Sequence, residues 1–239
     1  MKKNSKNKTN SSMMTAAWLL AILVQLVLIT CPAKALINWT NKDGSAGFFD
    51  WYNGGSDKGL FGNPTLVGGN TFLFIPSNFR AQSANGVPAI KTDRLEFGLL
   101  AHQGYTITGI QITEYGDYGI LTSGKVSVSG TMYVTNLDAF MVRSNSFVST
   151  PASPISSGQG SWTASLGVND IDWTNLKIVL NNNLMAISSI GSTSFIEKKI
   201  VGGAVAIELF GQGSEIPEPA TICLLGLGAL SLIRRNNKK

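Results

Sequence analysis

A two-residue rhythm limits the fold of this chain more than any other feature. Val126, Val128, Met132 and Val134 share one phase, Ser127, Ser129, Thr131 and Tyr133 share the other, and Gly130 sits between them. Successive side chains of a strand point to opposite faces, so this pattern predicts a strand with one face buried. The rhythm recurs. Leu95, Phe97 and Leu99 alternate with Glu96, Gly98 and Leu100, and Val205, Ile207 and Leu209 alternate with Ala204, Ala206 and Glu208. Tyr105 and Ile107 keep one phase and Ile110 and Ile112 the other, so the slip at Thr108-Gly109 predicts a β-bulge. Residues 71–75 are apolar on both faces and read as a fully buried strand. Further strands are predicted at 162–168, 176–180, 185–189 and 194–201. No apolar pattern of helical period runs beyond two turns.

Turn chemistry separates these runs: Asn85-Gly86, Gly116-Asp117, Ser123-Gly124, Asn169-Asp170, Asn181-Asn182-Asn183 and Gly202-Gly203. Short strands roughly every 8 to 15 residues, without intervening helices, predict an all-β fold, an antiparallel β-sandwich or jelly-roll-like single domain of about ten strands. The Ser-rich stretch 144–160, which contains Pro151 and Pro154, reads as a long loop joining the two sheets.

Both ends depart from this rhythm. Residues 1–12 are polar and basic, an apolar run follows to residue 30, and Pro32 then breaks any helix. Ala33-Lys34-Ala35 supplies an A-x-A site, so residues 1–35 read as a secretory signal peptide with Ala33 and Ala35 at the cleavage site. At the other end, Pro217-Glu218-Pro219 fixes an extended stretch that a protease cleft accepts. Residues 220–233 carry no charge, and Arg234, Arg235, Lys238 and Lys239 stop the run on the cytoplasmic side. As a helix those fourteen residues would span about 21 Å, short of the roughly 30 Å hydrocarbon core. A brief, cation-stopped transmembrane helix of this kind suits a temporary tether.

Pro217, Glu218 and Pro219, the apolar helix and the Arg234-Arg235 stop together resemble the PEP-CTERM sorting signal of Gram-negative bacteria. The resemblance covers residues 215–239, about a tenth of the chain. It implies processing at or near the Pro-Glu-Pro motif by an exosortase, a membrane-embedded protease, with the inner membrane as temporary anchor. The expected organisation is therefore a signal peptide at 1–35, an exported β-sandwich at 36–214 and a sorting and anchor segment at 215–239.

Charge and cysteine support that division. The whole chain carries a net charge of +5, yet ten cations face thirteen acids between residues 36 and 216, a net of −3. The basic excess belongs to the ends, which removes the case for nucleic-acid binding. The two cysteines, Cys31 and Cys223, also lie in the ends, so the exported body has no disulfide to draw on. His102 is the single histidine, without a second histidine or a cysteine to build a metal site or a dyad.

Three constellations in the body invite chemistry. Asp43-Gly44-Ser45 and residues 50–63, with Asp50, Asn53, Asp57 and Asn63, offer oxygen ligands to calcium, although their spacing fits no EF-hand and the simpler reading is a turn-rich loop. No other cofactor is expected. Glu114 and Asp117, beside Tyr115 and Tyr118, pair two carboxylates as a glycosidase would, against the simpler reading of a solvated turn. Trp39, Trp51 and Tyr52 belong to an aromatic segment able to stack on sugars, against the simpler reading of a hairpin packed into the core. The expectation is an exported, non-enzymatic surface or extracellular-matrix protein with a structural or adhesive role. A carbohydrate-binding module of the polysaccharide matrix is the alternative, and a glycan hydrolase the weaker one.

Overall fold

The computed structural model describes residues 35–76, 78–199 and 205–213. The signal-peptide core with Ala33, the Pro217-Glu218-Pro219 motif, the apolar run and the Arg234-Arg235 stop lie outside the described residues. Ala35 is exposed and immediately precedes the first strands. Among the described residues there is no helix, and so none long and apolar enough to cross a membrane.

Among the described residues, fifteen strands build two antiparallel sheets: β1 (Ile37–Asn38), β2 (Gly44–Ala46), β3 (Phe49–Ser56), β4 (Thr65–Val67), β5 (Thr71–Phe74), β6 (Arg80–Ala84), β7 (Ala89–Ala101), β8 (Tyr105–Leu121), β9 (Gly124–Asn136), β10 (Val142–Ser146), β11 (Val148–Thr150), β12 (Gln159–Val168), β13 (Asn175–Ser188), β14 (Thr193–Lys198) and β15 (Val205–Gly213). Four of these have only two or three residues, too short to register as alternation, which explains the excess over the expected ten. The first sheet runs β1-β3-β7-β13-β9-β10, with β2 on β3. The second runs β11-β12-β8-β15-β5-β4, and β14 bridges β8 to β6. The result is an all-β sandwich with one shared core.

The pleat sorts residues as the alternation predicts. On β9, Val126, Val128, Met132 and Val134 are buried, and Leu95, Phe97 and Leu99 do the same on β7. The bulge in β8 is present. Gly109 pairs with Phe210 and Ile107 with Gly211, so Thr108 has no partner across the ladder and both Ile107 and Ile110 point inward. β5 is buried on one face only: Phe72 and Phe74 enter the core, while Ile75 beyond the strand is half-exposed. The stretch 144–160 does cross from sheet to sheet. β10 pairs with β9 in the first sheet and β11 with β12 in the second, so it crosses as two short strands instead of a bare loop.

Two expected turns are strand interior. β8 passes straight through Gly116-Asp117, held by β12 on one side and β14 on the other. β13 runs unbroken through Asn181, Asn182 and Asn183, paired with β7 and β9 on both edges. Asparagine favours turns locally, but two complete ladders of backbone hydrogen bonds outweigh that preference.

Candidate functional site: a polar groove on the first sheet

The outward face of the first sheet carries a groove of about 590 Å³. Its floor follows from register. Arg94 on β7 lies opposite Asn181 on β13, Asn181 opposite Thr131 on β9, and Thr131 opposite Ser146 on β10. The next row places Thr92, Asn183 and Ser129 side by side. Tyr133, two residues along β9 from Thr131, stands 40% exposed at the margin. Asp57 and Lys58 form one wall, and Phe147 lies across the groove from them.

The charges here are largely spoken for. The Lys58 ammonium donates to the Thr92 hydroxyl (2.6 Å), and Arg94 pairs with Glu96 and with Asp57 (3.6 Å). Buried Asp93 accepts the backbone N–H groups of Lys58 (2.9 Å) and Leu60 (2.8 Å), which pins the Asp57–Lys58 wall to the sheet. What faces solvent is therefore chiefly an array of amides and hydroxyls beside the rings of Tyr133 and Phe147, with the exposed Lys58 at one wall. Asn183 donates to Ser129 Oγ at 3.4 Å, yet its own Oδ1, sheltered from solvent, accepts nothing among the described residues. An acceptor closed off from solvent is closed to a ligand as well, so the groups the groove presents are the Asn181 amide and the hydroxyls of Ser129 and Thr131.

The sequence-selected residues lie elsewhere. Trp39 is a core residue at 4% exposure, its ring 5.3 Å from Phe97 and 5.4 Å from Phe74, and it cannot present a face to a sugar. Trp51 is half-buried, its ring over Gly44 and edge-on to Phe72 at 5.4 Å, with its indole N–H given to the Asn41 carbonyl. Tyr52 lies over Gly98 on the outward face of the first sheet, and its hydroxyl donates to Asn175 Oδ1 (3.1 Å). Burial and then the Asp138 charge raise the pKa of that hydroxyl. Of the three, Tyr52 alone shares the groove's face, and it does not line the groove.

Glu114 and Asp117 are not a solvated turn, and they do not face one another. Three residues apart on a continuous strand, they project to opposite sides. Glu114 is fully buried between the sheets, whereas Asp117 meets Lys199 on the surface (2.8 Å). They cannot flank one glycosidic bond. The oxygen-rich segment near residues 43–63 has structural tasks. Asp43 Oδ1 accepts the N–H of Asn53, a residue at φ 54° where β3 slips register against β7, and Asn63 Oδ1 accepts the N–H of Thr40. No group of three or more His, Cys, Asp or Glu side chains among the described residues is placed to hold a metal ion.

His102 meets both Asp50 Oδ1 (3.0 Å) and Ser45 Oγ (3.3 Å) through the same nitrogen, Nε2. A relay needs the serine on one ring nitrogen and the carboxylate on the other, so this cluster cannot work as a triad. Hydrogen bonds from Ser45 and then His102 hold the Asp50 carboxyl below the usual carboxylate range. A second cleft of about 790 Å³ lies beside the β8 bulge, lined by Tyr105, Asn169, Asp170, Asp172, Phe210 and Gln212. It is built largely from a loop and strand ends, and it lacks the cross-strand floor that fixes donors in place.

Residues 215–239 match the family model of the PEP-CTERM protein-sorting motif. The chain carries a PEP-CTERM sorting signal. That signal marks an exported protein, held transiently in the membrane and processed by an exosortase. The PEP-CTERM segment begins two residues after Gly213, where β15 and the described body end. No curated protein matches the chain. Among solved structures it is similar to TmCBM61 in complex with beta-1,4-galactotriose, at 13% identity over 72% of this chain and 97% of that one, with a TM-score of 0.26. It is also similar to the enzymatically active domain of tailspike protein 4 of bacteriophage CBA120 (11% identity, 74% of this chain and 20% of that one, TM-score 0.25). A third likeness is to the CBM22-1 xylan-binding domain from Paenibacillus barcinonensis (8% identity, 54% and 85%, TM-score 0.20). Likenesses at these TM-scores carry no argument about ligand or activity.

Proposed function

We propose that this PEP-CTERM protein is a non-enzymatic surface or matrix component that adheres to neutral extracellular polysaccharide through the groove on its first sheet. The observation that carries this reading is the groove floor: the amides of Asn181 and Asn183 set in register beside the hydroxyls of Ser129 and Thr131. Amides and hydroxyls in fixed register suit ligands that present many hydroxyl groups, and an exposed aromatic ring such as Tyr133 offers a face for a sugar ring. Pairing of Arg94 with Glu96 and Asp57 balances most of the groove's charge, which favours a neutral polymer over a strongly acidic one. The sealed position of Glu114 and the split of Glu114 from Asp117 support a binding role over hydrolysis. Release from the membrane by an exosortase would deliver the sandwich to the polymer it holds.

Affinity electrophoresis through gels containing soluble neutral polysaccharides tests this reading. Retardation by at least one polymer is expected, lost in Asn183→Ala and Tyr133→Ala and kept in Trp51→Ala. Equal mobility in every gel would refute it. Depolymerisation of any of these polysaccharides by the purified protein would refute the non-enzymatic part.

A further inference from the structure

The interior holds a second polar constellation, on the inward face of the sheet whose outward face carries the groove. Glu114 on β8, Asn182 on β13 and Lys198 at the end of β14 are each at most 4% exposed. The Lys198 ammonium donates to Glu114 Oε2, and the Asn182 side-chain amide donates to Glu114 Oε1. Aromatic rings close the site. The Lys198 Nζ lies 5.1 Å from the centre of Phe79, 5.6 Å from Trp162 and 5.7 Å from Phe61. Asn182 Oδ1 accepts no hydrogen bond among the described residues. An ion pair in such a place is a poor source of stability, because apolar side chains of similar size commonly do as well or better. The three groups are arranged as for a reaction: one carboxylate holds an amine on one oxygen and a carboxamide on the other, so nucleophile and electrophile share a single bridging group.

We propose that Lys198 and Asn182 join in an intramolecular isopeptide bond, Nζ to Cγ, with Glu114 as the proton carrier. The Glu114 carboxylate takes a proton from the Lys198 ammonium. The neutral Nζ attacks Asn182 Cγ, a C–N bond forms, and the carbonyl electrons move onto Oδ1. Glu114 passes its proton to Nδ2 and accepts a second one from Nζ. The carbonyl reforms, the Cγ–Nδ2 bond breaks, and ammonia departs with the proton left on Glu114. One amide replaces another, so no oxidant, reductant or outside reactant is needed. Burial lowers the pKa of Lys198, against the opposing charge and hydrogen bond of Glu114, and a less basic amine is more readily freed for attack. The phenyl and indole rings around Nζ shield the amine from water.

The bond would close a loop from residue 182 to residue 198 and bolt the first sheet to the second, since β13 and β14 belong to different sheets. The exported body has no cysteine, so no disulfide is available for that task. Such a cross-link suits a domain that bears load between a membrane tether and a polymer.

Peptide mapping of the full chain decides the matter. There is no glutamate between Glu114 and Glu197, and Glu208 is the next after that. Digestion after glutamate therefore places Asn182 in peptide 115–197 and Lys198 in peptide 198–208. The expected product is the two peptides joined, short by the mass of one ammonia, with fragment ions locating the junction at Asn182 and Lys198. Lys198→Arg and Glu114→Gln should each give two separate peptides while keeping the β-sheet circular dichroism of the parent. Two separate, unmodified peptides from the parent protein would overturn the proposal whether or not the variants fold. Joined peptides from Glu114→Gln would overturn the role of Glu114.

Discussion

Asn181, Asn182 and Asn183 are consecutive and identical, yet they belong to two environments. Asn181 and Asn183 face outward onto the groove, and Asn182 faces inward onto Glu114. The pleat alone makes the difference. Outward, an amide beside solvent can exchange partners and recognise a ligand. Inward, the same amide is held by one carboxylate among aromatic rings, where an unpaired charge or an open valence is costly. A single strand thus carries a binding surface on one face and a sealed, reactive cluster on the other, and substitutions on the two faces should separate cleanly.

The largest effect is expected inside. Glu114→Ala strands the Lys198 ammonium without its partner, and urea denaturation should record a loss of at least about 3–5 kcal/mol. Replacing both charges, as in Glu114→Leu with Lys198→Met, should recover much of the part due to the unpaired charge. Next comes Gly116→Ala on β8. A Cβ there would lie 1.9 Å from the Glu197 carbonyl oxygen and 2.6 Å from the Trp162 ring, so the strand must shift, at a cost of about 1–3 kcal/mol in the same assay. On the outward face the signature inverts. Asn181→Ala should alter stability by no more than about 0.5 kcal/mol. It should weaken polysaccharide binding by about 1 kcal/mol, roughly five-fold in Kd.

The smallest effect belongs to the exposed ion pair of Asp50 and His102, the surface counterpart of the buried one. The Asp50 carboxyl is held below its ordinary range by Ser45 first and His102 second. Its contribution is therefore present above the usual carboxylate value of about 4 and is lost as pH falls through the lowered value. Thermal melts across that window should show a slightly shallower acid slope in Asp50→Asn, and salt should shrink only the His102 share of the difference, leaving the larger Ser45 share.

Much of this was legible in the amino-acid order. Alternation located the cores of β7, β9 and β15, and the phase slip at Thr108-Gly109 located the bulge, because a buried face writes itself into the sequence residue by residue. The sorting tail was legible because its signal is linear. The groove was not, since it arises where Arg94, Asn181, Thr131 and Ser146 meet in register from four strands far apart in the chain. The asparagine run was misread as a turn, although a signal was present: Leu176, Ile178, Leu180, Leu184 and Ala186 hold one parity straight across it, and all are buried. That parity also marks residue 182 as interior. Gly116 looked like a turn for a similar reason. Its missing side chain instead makes room for Trp162 and the Glu197 carbonyl. Trp39 drew attention as a sugar platform, but aromatic content cannot tell a platform from a core.

The contrast between neighbouring asparagines can be measured directly. In a nuclear magnetic resonance titration with oligosaccharides of a polysaccharide that retards the protein, the side-chain amide signals of Asn181 and Asn183 should shift and saturate together, while Asn182 stays unmoved. Saturable shifts confined to the Trp51 indole, or no response at Asn181 and Asn183, would contradict a binding groove on the first sheet.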